Sequence, residues 1–128
     1  MLYNDGLYGL YRFVKEYKQI LLYCYYHFMN IFSRLVIYKI ICNDVHINDV
    51  YIGSTVNFRH RGYQHKYNSK YSDIKLYKNI RENGGWLNYS IIELEKYPCN
   101  NSIEARERER YYYDQLNPNL NSIKPNNQ

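Results

Sequence analysis

The chain has 128 residues, enough for one domain with a short extension, and it is basic, with a net charge of +5 and a pI near 9.0. Its three cysteines, Cys24, Cys42 and Cys99, form no CxxC pair, which speaks against a zinc site or a disulfide framework and places the chain in a reducing, intracellular compartment, cytoplasmic or nuclear. A small basic domain attracts polyanions, of which nucleic acid is the commonest in a cell, although a mildly basic soluble surface explains the charge as well.

Residues 1–34 form an extension of one or two helical pieces, the longer reading RFVKEYKQILLYCYYHFMNIF. Its apolar character runs nearly all round, so the helix is expected to be buried against something. The stretch 19–33 has no Asp, Glu, Lys or Arg, but it falls short of the roughly 20 apolar residues of a membrane span. It also lacks a cationic start and a small-residue cleavage site. No stable membrane span is expected; contact with a membrane surface or a partner is the remaining alternative for this stretch. Met29 offers a second possible start.

From Leu35 the texture changes. LVIYKIIC and VYIG read as two strands joined by the turn formers of NDVHIND. STVNFRHRGYQHKYN reads as a helix with Ser54 or Thr55 as N-cap, and SDIKLYKNIRENGG as a second, capped by Ser72 and closed by Gly84. WLNYSIIELE reads as a third strand. NSIEARERERYYYDQLN is a further helix, with Asn101 and Glu104 spaced as a capping box. Pro118 and Pro125 bound a segment with little expected structure. The order β-β-α-α-β-α predicts an α+β domain over 35–124, a small three-stranded antiparallel sheet flanked by helices, followed by a tail at 125–128.

Three features carry chemistry. On the first helix of the domain, Phe58, Arg61, Gly62 and His65 share a face, and Phe58 is expected to anchor it. Spacing alone favours a solvated basic face. On the last helix, Ala105, Glu109, Tyr112 and Leu116 form the core-facing stripe, which places a carboxylate where it must be paired or bound to metal. Arg106, three residues back, is the in-helix cation that would make Glu109 merely structural. Tyr38 and Tyr51 lie in adjacent strands and can face one side of the hairpin. A phenol is a poor base at pH 7 unless a nearby cation stabilises the phenolate, and Arg61 is such a cation. Two phenols, an arginine, a histidine and a carboxylate together suit cutting a phosphodiester with one hard cation.

VIYKI at 36–40 and VYIGSTVNFRHRGYQH at 50–65 resemble the GIY-YIG nuclease superfamily, in the style of its homing-endonuclease branch. KLYKNIRENGG, YSIIELE and EARERERYYYDQLNPNLN extend the resemblance over about 35–124. The resemblance implies a DNA endonuclease using magnesium or another divalent cation such as manganese. By position it implies Tyr38 and Tyr51 as active-site tyrosines, Gly53 as the glycine turning into the helix, and Arg61 as the arginine that steadies the phosphate. His65 takes a supporting proton-transfer or phosphate role, Glu109 binds the metal, and Asn121 orders the site. His60 stands where members carry a basic residue, and is expected near substrate. Val36 replaces the first motif's glycine, so an inert nucleic-acid-binding module is the alternative. Target choice stays open between little sequence preference, reliance on DNA structure, a remnant of something longer, and a separate DNA-binding protein or domain, and a virus or mobile element is one candidate source of the chain.

Overall fold

The computed structural model describes residues 2–122; Met1 and positions 123–128, with the expected 125–128 tail, lie outside the described residues. The chain forms two compact units that divide between Ile31 and Phe32. The first is a single helix, α1 (Leu2–Met29). Burial of this helix was expected; within its own unit it leaves Leu10, Phe13, Tyr17 and Ile20 exposed, among other apolar side chains. Among the described residues no helix is long and apolar enough to cross a membrane.

The second unit holds β1 (Val36–Cys42), β2 (Val50–Thr55), α2 (Phe58–Tyr71), α3 (Lys75–Glu82), β3 (Tyr89–Lys96) and α4 (Ser102–Leu116). The strands form one antiparallel sheet in the order β2-β1-β3, the α+β architecture that the sequence predicts. Side chains directly opposite in an antiparallel pair share a face, so the register sorts the core. Tyr38, Ile40 and Cys42 pack with Leu76, Tyr77 and Ile80 of α3, and with Tyr89 and Leu120. Ile37 and Ile52 pack on the other face with Leu35, Cys99 and Ala105 of α4. Two small cores thus sandwich the sheet.

Several helix ends differ from expectation. β2 continues through Ser54 and Thr55, so α2 is capped by Asn57, whose side chain accepts from the His60 N–H at 3.0 Å. Ser72 ends α2 instead of starting α3, and its hydroxyl accepts from the Ile74 N–H at 3.3 Å. Gly84 closes α3 as predicted: its φ of +94° suits glycine, and the Gly85 N–H returns to the Ile80 carbonyl at 2.9 Å. Asn101 caps α4 by accepting from Glu104 N–H, while Glu104 reaches back to the Asn100 N–H, one residue before the expected one.

Residues 119–121, which follow Pro118, are not the unstructured stretch expected. β2 is an edge strand, and its outward backbone groups are taken up by residues 119–121. Val50 N–H donates to the Asn119 side chain and Leu120 N–H to the Val50 carbonyl. Asn121 closes the set in both directions, accepting from Ile52 N–H at 2.9 Å and donating to its carbonyl at 2.8 Å. The asparagines stand in for a missing neighbouring strand. Asn121→Ala strips both partners from Ile52, and should cost about 1–3 kcal/mol, read as a lower urea midpoint. An unchanged midpoint would mean that water serves this edge equally well.

Candidate active site

Gly53 lies opposite Tyr38 in the β1–β2 ladder, within a strand that runs two residues further. The expected role in a tight turn is therefore replaced by one of space. A Cβ at Gly53 would stand 2.5 Å from the Tyr38 hydroxyl oxygen and 2.6 Å from Cζ. Glycine is required because the phenol lies across the neighbouring strand.

That phenol is wholly buried and hydrogen-bonded on two sides. Its oxygen lies 2.8 Å from His65 Nε2 and accepts from Arg61 Nε at 3.3 Å. His65 Nδ1 in turn lies 2.9 Å from the Tyr77 hydroxyl, to which Asn68 Nδ2 donates at 3.4 Å. The rings of Tyr38, Tyr51, Tyr77 and Trp86 surround the imidazole, Trp86 stacked nearly parallel. Either tautomer bonds both ring nitrogens: with the proton on Nδ1 the ring donates to Tyr77 and accepts from Tyr38, and with it on Nε2 these roles reverse. Burial, then the Arg61 charge, pulls His65 down to about 3, so the imidazole is neutral at pH 7. With no exposure and both nitrogens occupied, His65 cannot touch a phosphate.

Arg61 and Tyr51 are the half-buried groups in front of this chain. Arg61 is held by Tyr38 and by Gln64, which accepts from Nη1 at 3.1 Å. The Tyr51 ring lies 6.3 Å from that of Tyr38, on the same face as expected. Burial pushes both phenols above their usual range, outweighing the downward pull of Arg61. Both are neutral phenols at pH 7. His60 is exposed on the first turn of α2, away from these contacts.

Glu109 comes from the opposite face of the sheet. Ser54, one residue past Gly53, points toward α4, and its hydroxyl donates to Glu109 Oε2 at 2.6 Å. This is the only hydrogen bond the carboxylate receives among the described residues, and Arg106 does not close an ion pair with it. Burial raises the Glu109 pKa, with Ser54, Arg106 and Arg61 only partly opposing it. The Tyr38 and Tyr51 rings both lie against Gly53, and Ser54 is the next residue, so the phenols and the carboxylate flank neighbouring positions of β2 from opposite faces. The stripe predicted for α4 holds at Ala105, Glu109 and Tyr112 but not at Leu116, which is 40% exposed.

The sequence reading missed Ser54 and Tyr77. Strand alternation signals the first, because Ser54 must face away from Tyr51 and Gly53. A tyrosine between Leu76 and Ile80 on the apolar face of α3 signals the second, since its hydroxyl needs a buried partner. The residues also fit a single hard cation. A half-buried carboxylate with one neutral donor and no cationic partner suits such an ion, which keeps most of its shell as water and phosphate oxygen. Among the described residues no cluster of three or more His, Cys, Asp or Glu forms a site made by protein alone.

Among families of known proteins, residues 34–123 match GIY-YIG, the GIY-YIG catalytic domain. No curated protein and no solved structure matches the chain significantly.

Gly53→Ala should displace the Tyr38 phenol, at a cost of about 1–3 kcal/mol in urea unfolding. A wild-type midpoint would show that β2 yields freely there. His65 gives a pH signature. Its folded pKa lies below the unfolded value, so the unfolded chain binds the extra proton, and this contribution to stability is lost as pH falls from about 6.5 toward 3. The stability difference between wild type and His65→Gln should shrink across that window, and a difference constant with pH would mean an imidazole that titrates normally.

Proposed function

This chain belongs to the GIY-YIG nuclease family, and we propose that it is a metal-dependent DNA endonuclease, homing-endonuclease-like, that hydrolyses phosphodiester bonds with magnesium or another divalent cation such as manganese. The observation that carries the reading is the arrangement at Gly53 and Ser54 of β2: a phenol and a half-buried guanidinium on Tyr38 flank the first, and a carboxylate with no cationic partner is held by the second.

Each residue has a separable part. Arg61 lies against the scissile phosphate and balances the charge that builds there; its Nε is anchored on Tyr38, so the guanidinium is aimed before substrate arrives. Tyr51, half-exposed beside it, holds the attacking water by its hydroxyl. Glu109 is the cation ligand, turned by Ser54 so that its second oxygen is available. When bound there, the metal supplies charge neutralisation at the phosphate and the leaving oxygen. Tyr38 and His65, both sealed from solvent, are positioning residues that act through Arg61, with Tyr77 behind them. Asn121 orders the site by pinning the β2 edge at Ile52. His60, exposed on α2, meets the phosphate backbone beside the cut.

Val36 does not favour the inert alternative. It pairs with Thr55 and Lys96 as an ordinary strand residue and makes none of the hydrogen bonds described above. An intracellular, reducing setting accords with Cys42 and Cys99 as buried free thiols. The proposed partner is a separate DNA-binding protein or domain that supplies target choice, in a chain carried by a virus or mobile element.

Nicking of supercoiled plasmid tests the reading. Wild type should nick with magnesium and stop with chelator, Glu109→Ala should be inactive under both conditions, and Arg61→Ala should fall about 10²–10³-fold. Equal nicking by wild type and Glu109→Ala would remove the carboxylate from the reaction. A folded wild type that binds DNA without cutting it would establish the inert module instead.

A further inference from the structure

The outer face of α2 is used by neither core, and of the residues assigned to the site only His60 lies on it. The 14-residue helix FRHRGYQHKYNSKY carries Arg59, His60, Arg61, His65, Lys66 and Lys70 and no acidic residue. Its exposed face displays three tyrosines at four-residue spacing, Tyr63, Tyr67 and Tyr71, exposed to 59%, 66% and 69%. These tyrosines sit among Arg59, Lys66 and Lys70, all exposed. The Arg59 guanidinium lies over the Tyr63 ring at 5.9 Å, and the Tyr67 and Tyr71 rings lie 5.0 Å apart. Three large rings left in water on one helix face, with cations between them, are complementary to a polyanion that carries flat apolar groups.

We propose that this face is a track for an unpaired DNA strand, whose bases stack on Tyr63, Tyr67 and Tyr71 while Arg59, Lys66 and Lys70 follow its phosphates. The assignment deepens the nuclease reading and rests on it for the identity of the polymer as DNA. A duplex meets the cations equally well but keeps its bases stacked on one another, leaving the tyrosine faces without partners. A single strand offers a free π-face at each nucleotide. Continuity with the site supports the assignment. Arg61, Gln64, Tyr67 and Lys70 stand three residues apart, and each step turns about 60° round the helix. This row leads from the guanidinium, through Gln64, to the tyrosines. The preferred substrate is therefore DNA in which a single-stranded segment adjoins the scissile bond, such as a flap or a junction.

Binding of a fluorescein-labelled 20-nucleotide single strand and of the same sequence as duplex, in chelator so that nothing is cut, tests this directly. Wild type should prefer the single strand. Tyr67→Ala should weaken single-strand binding about fivefold or more and duplex binding less than twofold, while Tyr67→Phe keeps the wild-type values. Lys66→Ala with Lys70→Ala should weaken both forms and flatten their salt dependence. Equal losses on both forms, no loss with alanine, or a phenylalanine variant as weak as alanine would each overturn the track. Plasmid nicking separates the two readings. If wild type shows the tyrosine-dependent preference but does not nick, the endonuclease fails and the track stands. If it nicks but binds both forms alike, the track fails and the endonuclease stands.

Discussion

A phenol hydroxyl sealed inside an apolar core must find partners, because leaving it bare costs several kcal/mol. Tyr38 is that hydroxyl, and much of the domain is arranged around satisfying it. α2 has to bring two side chains four residues apart, Arg61 and His65, onto the same oxygen. His65, buried in its turn, requires Tyr77 from α3, and Tyr77 is braced by Asn68 back on α2. Gly53 has to stay without a side chain so that the ring can lie across β2. A buried network of this kind is favourable only when every member is in place, so it selects one position of α2 over the sheet. Arg61 inherits its aim from that selection.

The other face has an independent fixing point. Arg108 of α4 grips Glu95 of β3 through two bonds, at 2.6 and 3.1 Å, and Tyr112 adds a third to the same carboxylate. The Arg108 guanidinium also lies over the rings of Tyr97, Tyr111 and Tyr112. Such a planar, bidentate and stacked arginine defines how α4 lies along the sheet better than apolar contact alone. Glu109 is the next residue, and its carboxylate is thereby directed to Ser54 on β2. The site is thus assembled from both sides of an edge strand: Tyr51 and Gly53 face α2, while Ser54 faces α4. This makes the straightness of β2 a requirement, and residues 119–121 maintain it by occupying the strand's free edge.

This layout explains which parts were legible in the sequence. Strand alternation, the 3.6-residue stripe on α4 and the Gly84 stop are local patterns, and the element order followed from them. The resemblance to a nuclease family fixed the candidate residues but not their depth. Tyr38 was implied as an active-site tyrosine and His65 in a proton-transfer or phosphate role, whereas the structure seals both, and the burial of His65 depends on Trp86 and Tyr77, which come from elsewhere in the chain. Gly53 looked like a turn because a glycine after three apolar residues usually ends a strand; the clash it avoids involves a residue 15 positions earlier. The caps at Ser54 and Ser72 failed for a related reason. Hydroxyl residues suit strands and helix ends of either polarity, and tertiary pairing of β2 decided between them. The pseudo-strand at 119–121 had no signal other than two asparagines, Asn119 and Asn121, each of whose amides can mimic a peptide group.

The electrostatics assign the two phenols different standing. At neutral pH the interior of the site is uncharged, with Tyr38 and Tyr51 raised and His65 lowered. Arg61 and Glu109 are the groups whose charges act on both phenols, and they act in opposite directions: Arg61 draws each proton off, and Glu109 holds it on. Tyr38 is wholly buried, and its neighbouring acceptor is a histidine with little affinity for a proton, so it has nowhere to send one. Tyr51 is half-exposed, with water within reach. On the proposed reading, neutralisation of Glu109 by a bound cation removes the opposition to Arg61, and the Tyr51 phenol becomes the more acidic. By reciprocity, loss of the Tyr51 proton strengthens cation binding at Glu109. The carboxylate and the phenol stand on opposite faces of one strand, and on the proposed reading they act as a single site.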